Sequence, residues 1–272
     1  MLTTHFVQNG DIQTAYYDLG NTEKPPLLLV HGFTGSKLDF LNQGGWLVED
    51  ARIIIPDQRG HGETSNTLPY TFDQLTTDLL NLLDALALPS CHLLGHSMGG
   101  MVALRAALSA PERFRSLILM DTAPHGLSLM PREQQAVINR LVEDGGCQAL
   151  VKGMRVQAPS RSVQRGIDFL GEAEHWRRIE VKLQQMDPTA FTSFAEAIRE
   201  QTAVTDQLDQ MSLPTTILVG TEDQPFLAPS QLMQQHIADS VLIEIPQAAH
   251  SPQYENADAW RDAVLAHLQR CA

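Results

Sequence analysis

The chain has 272 residues, 43% hydrophobic and 19% charged, enough to bury one large core and unlike a disordered or fibrous composition. A formal net charge of −13 repels phosphate backbones and anionic headgroups, which excludes nucleic acid and acidic membranes as expected partners. Cys91, Cys147 and Cys271 are odd in number, widely spaced and without a C-x-x-C pair, which argues against a disulfide framework or zinc site and for a reducing compartment.

In chain order, the opening "MLTTHFVQNGDIQ" has no basic segment ahead of an apolar stretch. No apolar run approaches the roughly 20 residues of a membrane span, so a soluble cytoplasmic protein is expected. A hairpin turning at Asn9-Gly10 comes first. Short β-branched or leucine-rich runs follow at 27–32, 52–57, 91–97, 116–121, 215–220 and 240–246, separated by stretches of helical period. That alternation is the signature of βα units, and it predicts an α/β fold with a mostly parallel central sheet and helices on both faces. The clearest helix starts at Thr71, with Gln74 placed for a capping box and Leu75, Leu79, Leu82, Leu83 and Leu86 on one stripe. From 125 to 206 no strand pattern appears. Amphipathic segments run there instead, with Trp176, Ile179, Leu183 and Met186 at helical spacing, which predicts an all-helical insertion between a core of 1–124 and 207–272.

The segment "LLGHSMGG" at 93–100 carries the chemistry. A strand must pass into a helix within one or two residues around Ser97, so the serine sits on a sharp turn with strained backbone. Gly95 and Gly99 remove side chains that would collide across it, and Gly100 lets the helix approach the strand. Ser97 is thereby presented at the C-terminal edge of the sheet, where open α/β sheets bind ligands, beside a helix N-terminus.

A serine hydroxyl is a weak nucleophile at neutral pH and needs a base, which in turn needs an orienting acid. His250 in "IPQAAHSPQ" follows the last predicted strand and is the candidate base. Asp223 in "LVGTEDQPF" is the candidate acid, with Glu222 adjacent and Asp121 at the end of a neighbouring strand as alternatives. Negative charge on a substrate carbonyl oxygen calls for preorganised N–H donors. The Met98 amide follows the nucleophile, and the Phe33 amide lies in the "HGF" turn after the strand at 27–32. His31 and His61 are expected to tie their loops together, while His92 and His96 are expected to be packed in the core. The G-x-G of "DQRGHG" lacks a nucleotide-binding context and no metal-ligand cluster emerges, so no cofactor or metal is expected.

With "HGF" at 31–33, "DQRGHG" at 57–62, "GHSMGG" at 95–100, and "GTED" and "AAH" at 220–223 and 248–250, the chain resembles α/β-hydrolase-fold serine hydrolases over essentially its full length. The resemblance implies Ser97 as nucleophile, Asp223 as acid, His250 as base, Phe33 and Met98 as oxyanion donors, and a helical lid. Within the family it is similar to small carboxylesterases, enol-lactonases, C–C bond hydrolases and the menaquinone-pathway synthase. A serine at the elbow departs from epoxide hydrolases and haloalkane dehalogenases, which use an aspartate there. The implied activity is cleavage of a small-molecule ester through an acyl-enzyme. A slow-turnover receptor that binds a small ligand under its lid and signals to a partner protein is the alternative from another class.

Substrate choice is expected to rest on the lid, which holds 10 basic and 11 acidic residues of the chain's 19 and 32, so the acidity lies mainly elsewhere. Arg155, Arg161, Arg165, Arg177 and Arg178 are candidates to hold a substrate carboxylate, against the plainer expectation of a solvated face. Phe33, Met98, Met154, Phe169, Phe191 and Phe194 suit an apolar acyl pocket or, equally, lid packing.

Overall fold

In the computed structural model, which describes residues 3–156 and 158–272, eight strands form one sheet. They are β1 (His5–Asn9), β2 (Ile12–Leu19), β3 (Pro26–Val30), β4 (Arg52–Pro56), β5 (Cys91–His96), β6 (Phe114–Met120), β7 (Thr215–Gly220) and β8 (Ser240–Ile245). The spatial order is β1-β2-β4-β3-β5-β6-β7-β8. The β1–β2 hairpin and the β2–β4 pair are antiparallel, and every pair from β4 to β8 is parallel. After β4 the chain crosses back over β3 to reach β5, so the strand order reverses between β3 and β5. The crevice outside the carboxyl ends of those two strands is where such sheets bind ligands.

Helices α1 (Leu41–Leu47), α2 (Phe72–Ala85), α3 (Met98–Ser109), α4 (Arg132–Gly145), α5 (Ala149–Val156), α6 (Arg161–Leu170), α7 (Glu172–Gln185), α8 (Pro188–Glu200), α9 (Gln224–His236), α10 (Pro252–Glu255) and α11 (Ala257–Arg270) complete the chain. The strand period of two sorts the core into two layers. Leu28, Val30, Leu93, Leu117, Leu119, Ile217 and Val219 pack on one face with α2, α3 and α9. Leu27, Leu29, Leu94, Ile118, Met120 and Leu218 pack on the other with Leu47 of α1 and Trp260 and Val264 of α11. Because both faces are covered, these strands read as continuous apolar runs rather than alternating ones.

The α2 stripe buries Leu75, Leu79, Leu82 and Leu83, with Leu86 partly buried beside them. The capping box forms by half: the Thr71 hydroxyl accepts from the Gln74 amide at 3.2 Å, while the Gln74 side chain donates to Asp78 at 3.0 Å instead of reaching back. Asp78 needs that donor because it is buried against Arg59, whose guanidinium it binds at 2.7 Å.

Between β6 and β7 run α4 to α8, with no strand among the described residues. They enclose a small apolar cluster of their own, including Val142, Val151, Leu183, Met186 and Phe191. Among the described residues no helix is long and apolar enough to cross a membrane.

Candidate active site

Ser97 lies between β5 and α3 with φ 53° and ψ −119°, a left-handed conformation that costs a non-glycine residue about 1–3 kcal/mol. The surroundings hold it there. Its amide donates to the Met120 carbonyl at 2.8 Å, and its carbonyl accepts the Thr122 hydroxyl at 2.7 Å. The neighbouring glycines are required by contact. A Cβ on Gly95 would lie 2.5 Å from the Gly99 carbonyl oxygen, and one on Gly99 2.5 Å from the carbonyl oxygens of Val30 and His31. A Cβ on Gly100 would meet the Thr122 side chain at 2.6 Å.

His250 lies in the loop between β8 and α10, and its Nε2 is 2.9 Å from the Ser97 Oγ. Its Nδ1 is 2.7 Å from Asp223 Oδ2. The Asp223 loop and the His250 loop are knitted together by backbone bonds from Thr221 to Ile245 and from Glu222 to Ala248, at 3.0 and 2.8 Å. Gly220 permits that approach, since a Cβ there would lie 2.2 Å from the Ala249 carbonyl oxygen. The Phe226 ring stacks on the His250 imidazole at 4.7 Å between centroids. Glu255 accepts from the amides of Ala249 and Ser251 at 3.0 and 2.9 Å and fixes the loop from below. The Phe33 and Met98 amides have no hydrogen-bond acceptor among the described residues. Phe33 lies in the turn after β3 and lines the cavity at Ser97, and Met98, directly after Ser97, begins α3.

The chemistry open to this arrangement is a proton relay. Asp121, Asp223 and His250 are the described acids and histidine close enough together, within 4.8 Å, to surround a cation. Both imidazole nitrogens are already engaged by Ser97 and Asp223. Glu222 does not compete for His250, because its carboxylate is held by Arg165 at 2.9 and 3.1 Å and the Arg165 hydrogen bond keeps it below the usual carboxylate range.

His31, His61, His92 and His96 are held within the loops and the core rather than at the relay. His31 Nδ1 donates to the Gly32 carbonyl at 2.8 Å and its Nε2 accepts from the Gln58 amide at 3.1 Å, tying the two loops. Burial pushes its imidazole down to about 4. His61 Nδ1 donates to the Arg59 carbonyl at 3.0 Å within its own turn. Burial pushes it down to about 3. His92 shares the Ser116 hydroxyl with His267, each at 2.7 Å. The His96 Nε2 donates to the His250 carbonyl at 2.7 Å, so this residue supports the loop that carries His250.

A cavity of about 180 Å³ opens onto Ser97 and His250. Its walls include Thr34, Asp39, His96, Lys182, Gln253 and Tyr254, and of the six apolar side chains singled out from sequence Phe33 alone lines it. Phe191 instead packs on Phe33 from behind at 4.9 Å, and Phe194 stacks on His61 in the main core. Met98 is fully buried, Met154 is exposed, and Phe169 packs against Trp46 and Tyr254. The pocket is therefore more polar than the sequence alone suggests.

None of the five arginines lines this cavity. Arg155 pairs with Glu180 and Arg177 with Glu174, both exposed, and Arg161 is exposed in the first turn of α6. Arg165 binds Glu222 and Glu255, bracing the two loops that carry Asp223 and His250. Arg178 is buried, donates to the Leu38 carbonyl and to Asn42, and lines an adjoining cavity of about 190 Å³. The cation at the pocket is Lys182, one helical turn beyond Arg178 on α7, and it lines both cavities. Its ammonium binds Asp39 at 2.6 Å. Burial is the largest single influence and works to raise the Asp39 carboxyl, but the Lys182 charge and hydrogen bond, with smaller contributions from His31 and His96, together outweigh it and leave Asp39 below its usual range. Helical spacing from Leu183 marks the face of α7 that packs, but nothing in the local pattern pairs Lys182 with a residue 143 positions away.

Residues 25–257 match the family model of the α/β hydrolase fold. The chain belongs to the α/β-hydrolase family. This α/β hydrolase is similar to 3-oxoadipate enol-lactonase 2 of Acinetobacter baylyi, with 28% identity over 263 residues that span 96% of this chain and 94% of that one. It is similar to a thermophilic esterase from Thermogutta terrifontis solved with malate bound, at 27% identity and a TM-score of 0.83 over 99% of each chain. A hydrolase from Pseudomonas aeruginosa matches this α/β hydrolase at 27% identity and a TM-score of 0.83 over 98% of each chain.

Proposed function

We propose that the chain is a serine hydrolase cleaving small to medium carboxylic esters through an acyl-enzyme, with 125–206 as a lid over a core of 1–124 and 207–272. The observation that carries this reading is the unbroken hydrogen-bond chain Ser97–His250–Asp223 at the mouth of a cavity. Ser97 Oγ attacks the ester carbonyl as His250 Nε2 takes its proton, and Asp223 holds the imidazole by Nδ1–H and stabilises the imidazolium. The Phe33 and Met98 amides receive the oxyanion. His250 returns the proton to the departing alcohol. A water, deprotonated by the same imidazole, then releases the acid and restores Ser97.

Steady turnover of p-nitrophenyl acetate or butyrate supports this reading. A single stoichiometric burst with no turnover favours the slow receptor instead.

A second reading within the same chemistry, a lactonase or C–C hydrolase acting on a carboxylate-bearing substrate, is favoured by Lys182. An ammonium has three donors and gives one to Asp39, which leaves two for a substrate carboxylate. Lys182→Met combined with Asp39→Asn removes the cation without stranding a buried carboxylate. That pair raises KM for an acidic ester or lactone by roughly 10–100-fold, the loss of a charge-assisted hydrogen bond of about 1.5–3 kcal/mol, and leaves neutral esters nearly unchanged. Paired kinetics on a neutral and an acidic substrate of equal size check it. An unchanged acidic-to-neutral ratio removes Lys182 from substrate recognition.

A further inference from the structure

Asp121 is a buried carboxyl that the hydrolytic sequence above does not use. It follows β6 directly, fully buried, in a left-handed backbone conformation with φ 44°. Its Oδ1 accepts from the Gly220 amide at 2.9 Å, and its Oδ2 has no hydrogen-bond partner among the described residues. Asp121, Asp223 and His250 present atoms that all lie within 4.8 Å of one another. Two buried carboxyl groups therefore face one imidazole, which is itself partly exposed at the cavity.

The groups around them do not relieve that crowding. Glu255 adds negative charge from α10, and its nearest cation, Arg165, is shared with Glu222. His250 gives its Nδ1 to Asp223. Two like charges this close in a low-dielectric site do not both persist, and one carboxyl keeps a proton. Asp223 holds the better position for the charge because it receives the imidazole, while Asp121 receives one backbone amide.

We propose that Asp121 is a positioning residue that stays protonated at neutral pH and donates that proton to the Asp223 carboxylate. The proposal rests on Ser97–His250–Asp223 being the catalytic relay. Burial, and after it the adjoining Asp223 charge, hold the Asp121 carboxyl well above its ordinary range. Asp223 is then fixed by a donor on either side, His250 and Asp121. The acid pair carries one negative charge instead of two, and the imidazole is oriented by its bond to Asp223.

Asn is the neutral mimic of a protonated Asp. It keeps an acceptor for the Gly220 amide and a donor for Asp223. Asp121→Asn is expected to hold kcat/KM within about threefold of the parent and to leave the acidic limb of its pH profile in place. Asp121→Ala loses the donor, which is expected to move that limb upward by roughly half a unit or more and to lower kcat about tenfold with little change in KM. Infrared spectra of the protein labelled with ¹³C-aspartate are expected to show a protonated-carboxyl band at pH 7 that Asp121→Asn removes. An acidic limb shifted downward in the Asn variant, or the absence of that band, overturns the proposal even if the Ala variant fails to fold. Failure of the hydrolase reading is separate, since the infrared band does not depend on turnover.

Discussion

Ser97→Ala is expected to fold as the parent does and to lose ester turnover by roughly 10⁴- to 10⁶-fold, because nucleophile and base act as one unit. The residual rate comes from the oxyanion donors and substrate binding, which the substitution leaves in place. The alanine keeps both backbone contacts, its amide donating to the Met120 carbonyl and its carbonyl accepting the Thr122 hydroxyl, so the thermal midpoint changes little. Asp223→Asn misorients the imidazole and costs about 10³–10⁴-fold in kcat, whereas Glu222→Gln, whose carboxylate lies on Arg165, costs at most about a few-fold. Initial rates with p-nitrophenyl butyrate across the three variants check this. Equal losses from the substitutions at 222 and 223 would move the acid.

Stability is expected to fall steeply as the pH drops from about 6.5 to 4. Five histidines are buried with their imidazoles neutral. Burial pushes His31 and His92 down to about 4, and His61, His96 and His267 down to about 3. In the unfolded chain each titrates near about 6.5. Below that value the unfolded chain binds protons that the folded chain refuses, so the stabilisation present above pH 6.5 is lost as pH falls towards the folded values. The slope is about 1.4 kcal/mol per pH unit for each group. Against a total stability of about 5–15 kcal/mol, even part of that sum unfolds the protein. Urea midpoints at pH 7, 6 and 5 measure it. Replacing His267 with Gln, which keeps a partner for Ser116, is expected to make the decline shallower. Midpoints that stay level between pH 7 and 5 would contradict the account.

Much of the fold is legible in the sequence because its signals are local. The runs at 27–32, 52–57, 91–97, 116–121, 215–220 and 240–246 match β3 to β8 to within one or two residues. The elbow glycines are read from the collision a strand-to-helix turn must avoid. Asp121 ends outside β6 and not within it, because its positive φ takes it out of the strand. The side chains around the pocket are less legible. Lys182 meets Asp39, and Arg165 meets Glu222 and Glu255, across elements whose relative placement depends on how the helices pack on the sheet. Helical periodicity tells which face of α7 is apolar, and it carries no information about what lies opposite. For the same reason, the arginines attracted the substrate reading on the strength of their residue type, while the cation at the pocket is a lysine.

Phosphonate trapping tests the central claim most directly. Incubating the protein with a fluorophosphonate and mapping the adduct by peptide mass spectrometry is expected to find one equivalent, on Ser97 alone, with loss of turnover in step with labelling and no adduct in Ser97→Ala. An adduct on Ser65 or on Ser251, or ester turnover that survives full labelling of Ser97, would contradict the account.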